Sequence, residues 1–396
     1  MSERVTGFRF AGVHGGIKAG GALDLGLVYA DRPVIAAAVF TKNRVRAAPV
    51  TISERRLKDG LCRAILVNSG NANACTGRQG RRAALALTRA AASALGVSAR
   101  LVVPASTGVI GVQLPCEKME AAIPSLVSDL SEAGAARFAR AIMTTDRGPK
   151  MAVAQLKVGR QVCRVLGIAK GAGMIHPNLA TTLAFVTTDA TISRSVLSNT
   201  LRQAVDSTFN RATVDGDTST NDSVYVLASG AVGSRAITKG SPAGRRFASA
   251  LGEVLESLAK QIVADGEGAE HLVRVEVRGA RTDADAVQIA RTIASSQLVK
   301  TAIFGCDPNW GRILAAAGRS GARFNPDHVS VTIGDVRIFQ HGTPVAHAKT
   351  EAKAAAVMKR AQYTITTTVG AGRGIGHYWT CDLGHEYVRI NADYRS

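Results

Sequence analysis

Short β-type runs, joined by loops too short to hold a crossover helix, constrain this chain more than any other feature. The runs are rich in Val, Ile or Leu and lie close to Gly, Asn or Asp, which is typical of strands that end in turns. Strands joined by such loops pair antiparallel, so the pattern predicts a mixed α/β fold with substantial antiparallel sheet. The predicted strands cover residues 33–40, 62–67, 101–104, 224–227 and 273–277.

Alanine-rich stretches with apolar residues three and four positions apart alternate with these runs. They predict helices over residues 81–95, 195–209 and 243–264, and Gly96 follows the first helix as a stop signal. Residues 162–190 differ, because a strand-like run leads through the turn-rich loop KGAGMIHPN into a second apolar run. At 396 residues, of which 46% are apolar, the chain is long enough for two or three domains with a sizeable core.

The charge balance of the chain is unusually basic. Lys and Arg number 49, Asp and Glu number 30, and the formal net charge is +19. The basic residues are scattered, aromatic residues make up only 5%, and no RRM, KH or helix-turn-helix signature is present. We therefore exclude nucleic acid as a partner and interpret the charge as a solvated surface that helps to attract anionic substrates.

Other patterns bear on compartment and metal binding. The chain has no unbroken run of the roughly 18 apolar residues that a membrane span needs, and its amino terminus lacks the apolar region of a secretory signal. The six cysteines are widely spaced without a CxxC pair, and the eight histidines are dispersed. We expect a cytoplasmic protein with reduced thiols, no membrane partner and no metal site.

The segment KGAGMIHPNLATTL (170–183) is the most informative for chemistry, because GxSxG, Walker A and HExxH motifs are all absent. One interpretation is a tight turn that feeds a β-branched strand. The other is self-cleavage, in which a strained turn lets the Thr181 hydroxyl attack the Ala180 carbonyl, and hydrolysis of the ester leaves Thr181 as a new amino terminus. Its free α-amine, with a pKa of about 7.7–8.0, can act through a water as the general base for its own hydroxyl.

Ten segments, this one included, occur in the order and at the spacing of one known family. They cover residues 16–28, 37–50, 65–77, 103–111, 142–146, 170–183, 209–223, 265–269, 305–313 and 391–396. Over essentially its whole length the chain resembles the ornithine acetyltransferase family, the bifunctional glutamate N-acetyltransferases of the cyclic arginine pathway.

The resemblance implies a fold and an activity. The fold is a layered αββα sandwich with the cleavage site in a core sheet and a smaller carboxyl-terminal α/β portion. Cleavage between Ala180 and Thr181 yields an α chain (1–180) and a β chain (181–396), which associate as an α2β2 heterotetramer. Thr181 then moves an acetyl group from N-acetylornithine to glutamate in a ping-pong reaction. No metal or bound cofactor is implied, and acetyl-CoA is the acetyl donor where the enzyme also performs the first step of the pathway.

The resemblance also assigns residues to the site. Thr107 and Gly108 of the STG segment match an oxyanion hole, for which a hydroxyl and a backbone N–H are suited. Lys170 suits a carboxylate, and Glu267 suits the ammonium of an ornithine-type substrate. The positions that match substrate-binding residues are Lys170, Thr181, Glu267, Asn391 and Ser396.

Some positions depart from the family pattern. Arg147 stands where the family has a threonine that helps to hold the substrate. Pointing into the pocket it favours an additional carboxylate and repels an ammonium, and pointing away it is a surface charge. Glu270 and His271 replace a small residue and a lysine, and Thr182 replaces Met or Leu, which we interpret as a packing change. Two alternatives stay open: a paralogue that acylates another amino acid or amine, and an amidohydrolase or aminopeptidase in which water intercepts the acyl-threonine.

Overall fold

The computed structural model describes residues 3–176, 182–345 and 348–393. The strands are β1 (Phe8–Val13), β2 (Leu25–Phe40), β3 (Leu61–Asn71), β4 (Val102–Val109), β5 (Lys150–Val158), β6 (Gln161–Lys170), β7 (Leu183–Ile192), β8 (Ser223–Ile237), β9 (Leu272–Ala280), β10 (Ser330–Ile333), β11 (Val336–Gln340), β12 (Thr343–Pro344), β13 (Gln362–Thr368) and β14 (Gly374–Cys381). The helices are α1 (Ala48–Arg56), α2 (Gly77–Leu95), α3 (Cys116–Ser128), α4 (Ala135–Ala141), α5 (Arg194–Ser207), α6 (Pro242–Ala264), α7 (Asp283–Ala294), α8 (Gln297–Phe304), α9 (Trp310–Gly318), α10 (Ala348–Met358) and α11 (His385–Asp393).

The chain divides into two compact units. Of the described residues, unit 1 comprises 3–176, 182–210 and 218–262, and unit 2 comprises 211–217, 263–345 and 348–393. Within the described ranges no helix is both long enough and apolar enough to span a bilayer. The predicted cut between residues 180 and 181 falls between β6 and β7, outside the described residues, and stays a prediction.

Unit 1 is built on one eight-stranded sheet with the strand order β4-β3-β2-β8-β7-β6-β5, and β1 also pairs with β2. The long strand β2 joins the two halves of this sheet. Its residues Leu25–Tyr29 pair with β1 and β3, whereas Ile35–Phe40 pair with β8 after a register shift. Only the β3–β4 and β7–β8 pairs are parallel among the strand pairs described in this sheet, so the predicted antiparallel character is confirmed.

The two halves of the sheet share one apolar interior and carry helices outside it. Ile65 of β3 and Ile168 of β6 belong to the same buried cluster. Leu87 of α2 packs in a second cluster on the other side of the β1–β4 half. Helix α6 covers the other half, since a Cβ on Gly167 would lie 2.5 Å from Val254 Cγ1. The predicted layered αββα sandwich is thus confirmed, with its two β layers formed by a single sheet.

Unit 2 has its own six-stranded sheet, with the order β12-β11-β10-β13-β9-β14. Strands β9 and β13 are parallel, and the other described pairs in this sheet are antiparallel. Its core includes Val275 of β9, Ile289 of α7 and Ile365 of β13, each at most 1% exposed. The smaller carboxyl-terminal α/β portion that the sequence predicted is therefore present.

Candidate functional site

The STG segment lies at the carboxyl end of β4, where the parallel pair β3–β4 holds it in place. Thr107 is opposite Ser69, and Gly108 is opposite Gly70. Gly108 has a φ of +126°, and a Cβ there would lie 2.3 Å from the carbonyl carbon of Gly70. Only glycine permits this approach of the two backbones, so the predicted oxyanion-hole residue has a clear steric requirement.

A buried asparagine from another motif fixes the same region. The Asn221 side-chain amide donates hydrogen bonds to the carbonyl oxygens of Ala72 at 2.6 Å and Ser106 at 2.8 Å. Asn221 belongs to the 209–223 segment, to which the sequence analysis gave no site residue. Because Asn221 donates to Ser106, the residue before Thr107, it connects the segment that leads into β8 with the STG segment.

Lys170 brings three distant segments together at the end of β6. Its side-chain ammonium donates to the Thr107 hydroxyl at 3.1 Å and to the Thr144 hydroxyl at 2.7 Å, and the residue is only 8% exposed. An ammonium has no lone pair to accept with, so in this contact the Thr107 oxygen is the acceptor. The hydroxyl proton of Thr107 therefore stays available for a different oxygen.

Asp146 lies beneath this lysine with a fully buried carboxylate. One carboxylate oxygen accepts hydrogen bonds from the Lys150 ammonium at 2.6 Å and from the Gly171 backbone N–H at 2.7 Å. The other oxygen accepts from the backbone N–H of Thr144 at 2.9 Å. Burial alone would raise the pKa of Asp146, but the charges of Lys170 and Lys150 outweigh it and hold that pKa at about 2.

A third lysine adds to the positive charge of the site. The Lys18 ammonium donates to the carbonyl oxygens of Leu23 at 3.0 Å and Met143 at 2.6 Å. Burial lowers the pKa of Lys18, Asp24 partly opposes this, and the charge of Lys170 lowers it further. The site is therefore suited to anionic groups, such as a substrate carboxylate or a developing oxyanion.

The predicted nucleophile Thr181 and its neighbour Ala180 lie outside the described residues, but both flanks of this segment are anchored. Upstream, the Thr218 hydroxyl donates to the His176 carbonyl at 2.8 Å. Downstream, the Thr182 hydroxyl donates to the carbonyl of Lys170, and the Ser223 N–H donates to the Thr182 carbonyl at 2.8 Å. The extra hydroxyl of Thr182 is thus engaged in a buried structural contact, as a packing role requires.

Unit 2 contains two of the predicted substrate-binding residues, and these lie in contact with each other. The Asn391 amide donates to a Glu267 carboxylate oxygen at 2.8 Å. Burial raises the pKa of the nearby Tyr387, and the negative charges of Asp215 and Glu267 raise it further. This acidic group is suited to an ammonium. The predicted Ser396 lies outside the described residues.

The residues that depart from the family pattern differ in their surroundings. Arg147 and Glu270 are exposed. His271 is buried, and its ring nitrogen lies 2.9 Å from the Arg360 carbonyl oxygen. Its backbone N–H donates to the Asp382 carboxylate at 2.9 Å, so His271 connects three segments of unit 2. The sequence analysis singled out Arg147 in the segment TTDR, whereas the structure brings Thr144 and Asp146 of that segment to Lys170. Both residues belong to the TTD motif, and this motif was the sequence signal from which they could have been predicted as site residues.

These features define a layered α/β protein with a cationic site built on threonine, lysine and a buried aspartate. In the part of the chain that the structure describes, no group of three or more His, Cys, Asp or Glu side chains could hold a metal ion. The ArgJ family profile matches residues 9–396. The chain therefore belongs to the ArgJ family.

Curated relatives and a solved structure agree with this assignment. The arginine biosynthesis bifunctional protein ArgJ of Geobacter sulfurreducens is 49% identical over 392 residues, covering 99% of this chain and 100% of the relative. That of Symbiobacterium thermophilum is 48% identical over 393 residues, covering 99% and 97%. The crystal structure of the Bacillus halodurans protein is 44% identical with a TM-score of 0.51, and the match covers 53% of this chain and 98% of that chain.

Proposed function

We propose that this chain is a self-cleaving acetyltransferase of arginine biosynthesis, which moves an acetyl group from N-acetylornithine to glutamate with Thr181 as nucleophile. Its curated relatives carry the name arginine biosynthesis bifunctional protein. The observation that carries the proposal is that Lys170 has two contacts at once. Its ammonium donates to the Thr107 hydroxyl, and its backbone carbonyl accepts a hydrogen bond from Thr182, the residue that follows Thr181 in the sequence.

Self-cleavage is proposed to create the catalytic base. The Thr181 hydroxyl oxygen attacks the carbonyl carbon of Ala180, the C–N bond breaks, and the amine takes the proton. A water then hydrolyses the ester, which leaves a carboxylate on Ala180 and both a free amine and a hydroxyl on Thr181. The solved Bacillus halodurans chain supports a precursor cut into two chains, because the match takes in 98% of that chain but only 53% of this one.

Acetyl transfer is proposed to follow in two displacements. The Thr181 amine, through a water, takes the hydroxyl proton as the oxygen attacks the acetyl carbonyl of N-acetylornithine. The tetrahedral intermediate collapses, the proton passes to the departing amine, and ornithine leaves an acetyl ester on Thr181. The amine of glutamate then attacks this ester and releases N-acetylglutamate with a regenerated hydroxyl.

Thr107 and Gly108 are proposed to stabilise the oxyanion of each tetrahedral intermediate. The Thr107 hydroxyl accepts from Lys170, so its own proton can be donated to the oxyanion. The Gly108 N–H is the second donor in this proposal. Loss of one such donor costs on the order of 10²–10³ in rate.

We further propose acetyl-CoA as a second acetyl donor and an α2β2 assembly of the two cleaved chains. No bound metal or cofactor takes part in the proposed steps. Glu267 and Asn391, which contact each other in unit 2, are proposed to bind the substrate ammonium.

Mass spectrometry of the purified protein tests the cleavage, and incubation with N-acetylornithine and glutamate tests the transfer. We expect two fragments, the second beginning at Thr181, and formation of N-acetylglutamate. Inert substrates would indicate a paralogue for another amine, and release of acetate alone would indicate an amidohydrolase. Thr181→Ala should block cutting and transfer, whereas Thr181→Ser should retain part of both. An intact chain that transfers acetyl groups would contradict the terminal-amine mechanism.

A further inference from the structure

Asp146 is a buried charged residue of the candidate site that has no direct part in the proposed chemistry. Its carboxylate accepts hydrogen bonds from three donors: the Lys150 ammonium, the Gly171 N–H and the Thr144 N–H. A carboxylate satisfies three donors at once, because it has two acceptor oxygens and no hydrogen. The asparagine side chain, which has the same shape, would turn an N–H toward at least one of these donors.

Two of these three contacts determine the geometry of Lys170. Gly171 follows Lys170 directly, so its bond to Asp146 fixes the backbone at the end of β6. Thr144 receives a hydrogen bond from the Lys170 ammonium through its hydroxyl, while its backbone N–H donates to Asp146. Asp146 thereby holds both the backbone and the side-chain partner of the lysine that contacts Thr107.

Lys150 is the buried counter-charge in direct contact with the Asp146 carboxylate. The Lys150 and Asp146 side chains are 3% and 0% exposed, and their charged atoms are 2.6 Å apart. A buried carboxylate needs a counter-charge. Lys150 supplies a counter-charge in direct contact with Asp146, while the Lys170 ammonium, whose charge also acts on Asp146, donates to the hydroxyls of Thr107 and Thr144.

We propose that Asp146, with Lys150 as its counter-ion, is a positioning residue that directs the Lys170 ammonium onto the Thr107 hydroxyl during both self-cleavage and acetyl transfer. The inference rests on the proposed function. Asp146 acts through Lys170 and Thr144 and does not itself touch the reacting atoms. Because it acts through the contact of Lys170 with Thr107, its effect is expected to be larger on the rate constants than on substrate affinity.

The test compares the wild type with the double variant Asp146→Asn/Lys150→Gln, which removes both buried charges together and so avoids an unpaired one. Cleavage is followed by intact mass, and kcat and KM for N-acetylornithine are measured per cut chain. We expect a melting temperature a few degrees below that of the wild type, slower cleavage, and a kcat lowered by up to about 10²-fold, with a smaller change in KM. The matched control is Glu256→Gln, which removes a partly exposed acid–lysine pair of the same spacing on α6 and should leave all four readouts unchanged.

A double-mutant cycle with Thr107→Ala separates positioning from a merely structural role. If Asp146 acts through Thr107, adding Thr107→Ala to the double variant lowers kcat by much less than it does in the wild type. Equal fold-losses in both backgrounds would overturn the proposal, as would wild-type cleavage and kcat in the double variant. Should the double variant fail to fold, Lys150→Arg, which retains the charge, must keep kcat within a few-fold of the wild type, and a large loss there would also overturn it. A wild type that neither cuts nor transfers refutes the proposed function instead.

Discussion

Substitution of Gly108 by alanine should disable the proposed oxyanion hole for a steric reason that can be worked out from the backbone. The residue has a φ of +126°, and a new Cβ would lie 2.3 Å from the Gly70 carbonyl carbon and 2.4 Å from the Asn71 nitrogen. Backbone strain of this kind costs about 1–3 kcal/mol, and overpacking costs about 1–3 kcal/mol more. Both obstacles are backbone atoms, so β3 and β4 must separate, and the Gly108 N–H moves with them.

The matched control is Gly111→Ala in the same segment. Gly111 has a φ of +84°, but a Cβ there meets nothing within 4 Å, so only backbone strain of about 1–2 kcal/mol remains. We expect Gly108→Ala to lower the melting temperature several degrees more than the control does, at about 2–4 °C per kcal/mol, and to lower kcat per cut chain by about 10²-fold or more. Equal melting temperatures and equal kcat values for the two variants would refute the reasoning.

Three further outcomes are expected. Because the pKa of Asp146 is lowered from 3.8 to about 2, its ionised form contributes about 2 kcal/mol to the free energy of unfolding above pH 4. In an acid titration, the wild type should lose this contribution between pH 4 and pH 2, whereas Asp146→Asn/Lys150→Gln should show no such loss. Asn221→Ala leaves two buried carbonyls without a donor and should destabilise the protein by about 2 kcal/mol or more in thermal unfolding; a change under about 0.5 kcal/mol contradicts this. If Lys170 and Lys18 attract anionic substrate, KM for glutamate should rise with added salt, and a salt-independent KM would exclude this.

Three of the helices, over 81–95, 195–209 and 243–264, were predictable from the sequence because their signals are local. The helix predicted over 81–95 is observed as Gly77–Leu95, and Gly96 ends it with a φ of +64°. Strand β2 was predicted only over 33–40, whereas it begins at Leu25. Its middle residues Asp31, Arg32 and Pro33 are exposed at the register shift, and in the sequence such residues look like a turn. The bend that joins the two halves of the sheet is a tertiary feature and leaves no local pattern.

The site was predictable only where a motif marked it. Thr107, Gly108 and Lys170 belong to such motifs, and the structure brings Thr107 and Lys170 into contact. Asp146 lies in the matched segment 142–146 but was given no role, and Lys150 lies outside every motif; an aspartate four residues before a lysine is also the usual pattern of an exposed pair. Only the packing of β5 and β6 shows that this pair is buried.

The register between β6 and β7 connects these observations to the proposed nucleophile. Lys170 is paired with Leu183, which stands two residues after Thr181. A slip of one residue would move every side chain of β7 to the opposite face of the sheet and would remove the Thr182 hydroxyl from the Lys170 carbonyl. Thr182 is held a second time by Ser223 of β8, so the strand is fixed from both sides. The same register therefore holds Lys170, and with it the contact to the Thr107 hydroxyl, in a fixed relation to Thr182, the residue that follows the proposed nucleophile in the sequence.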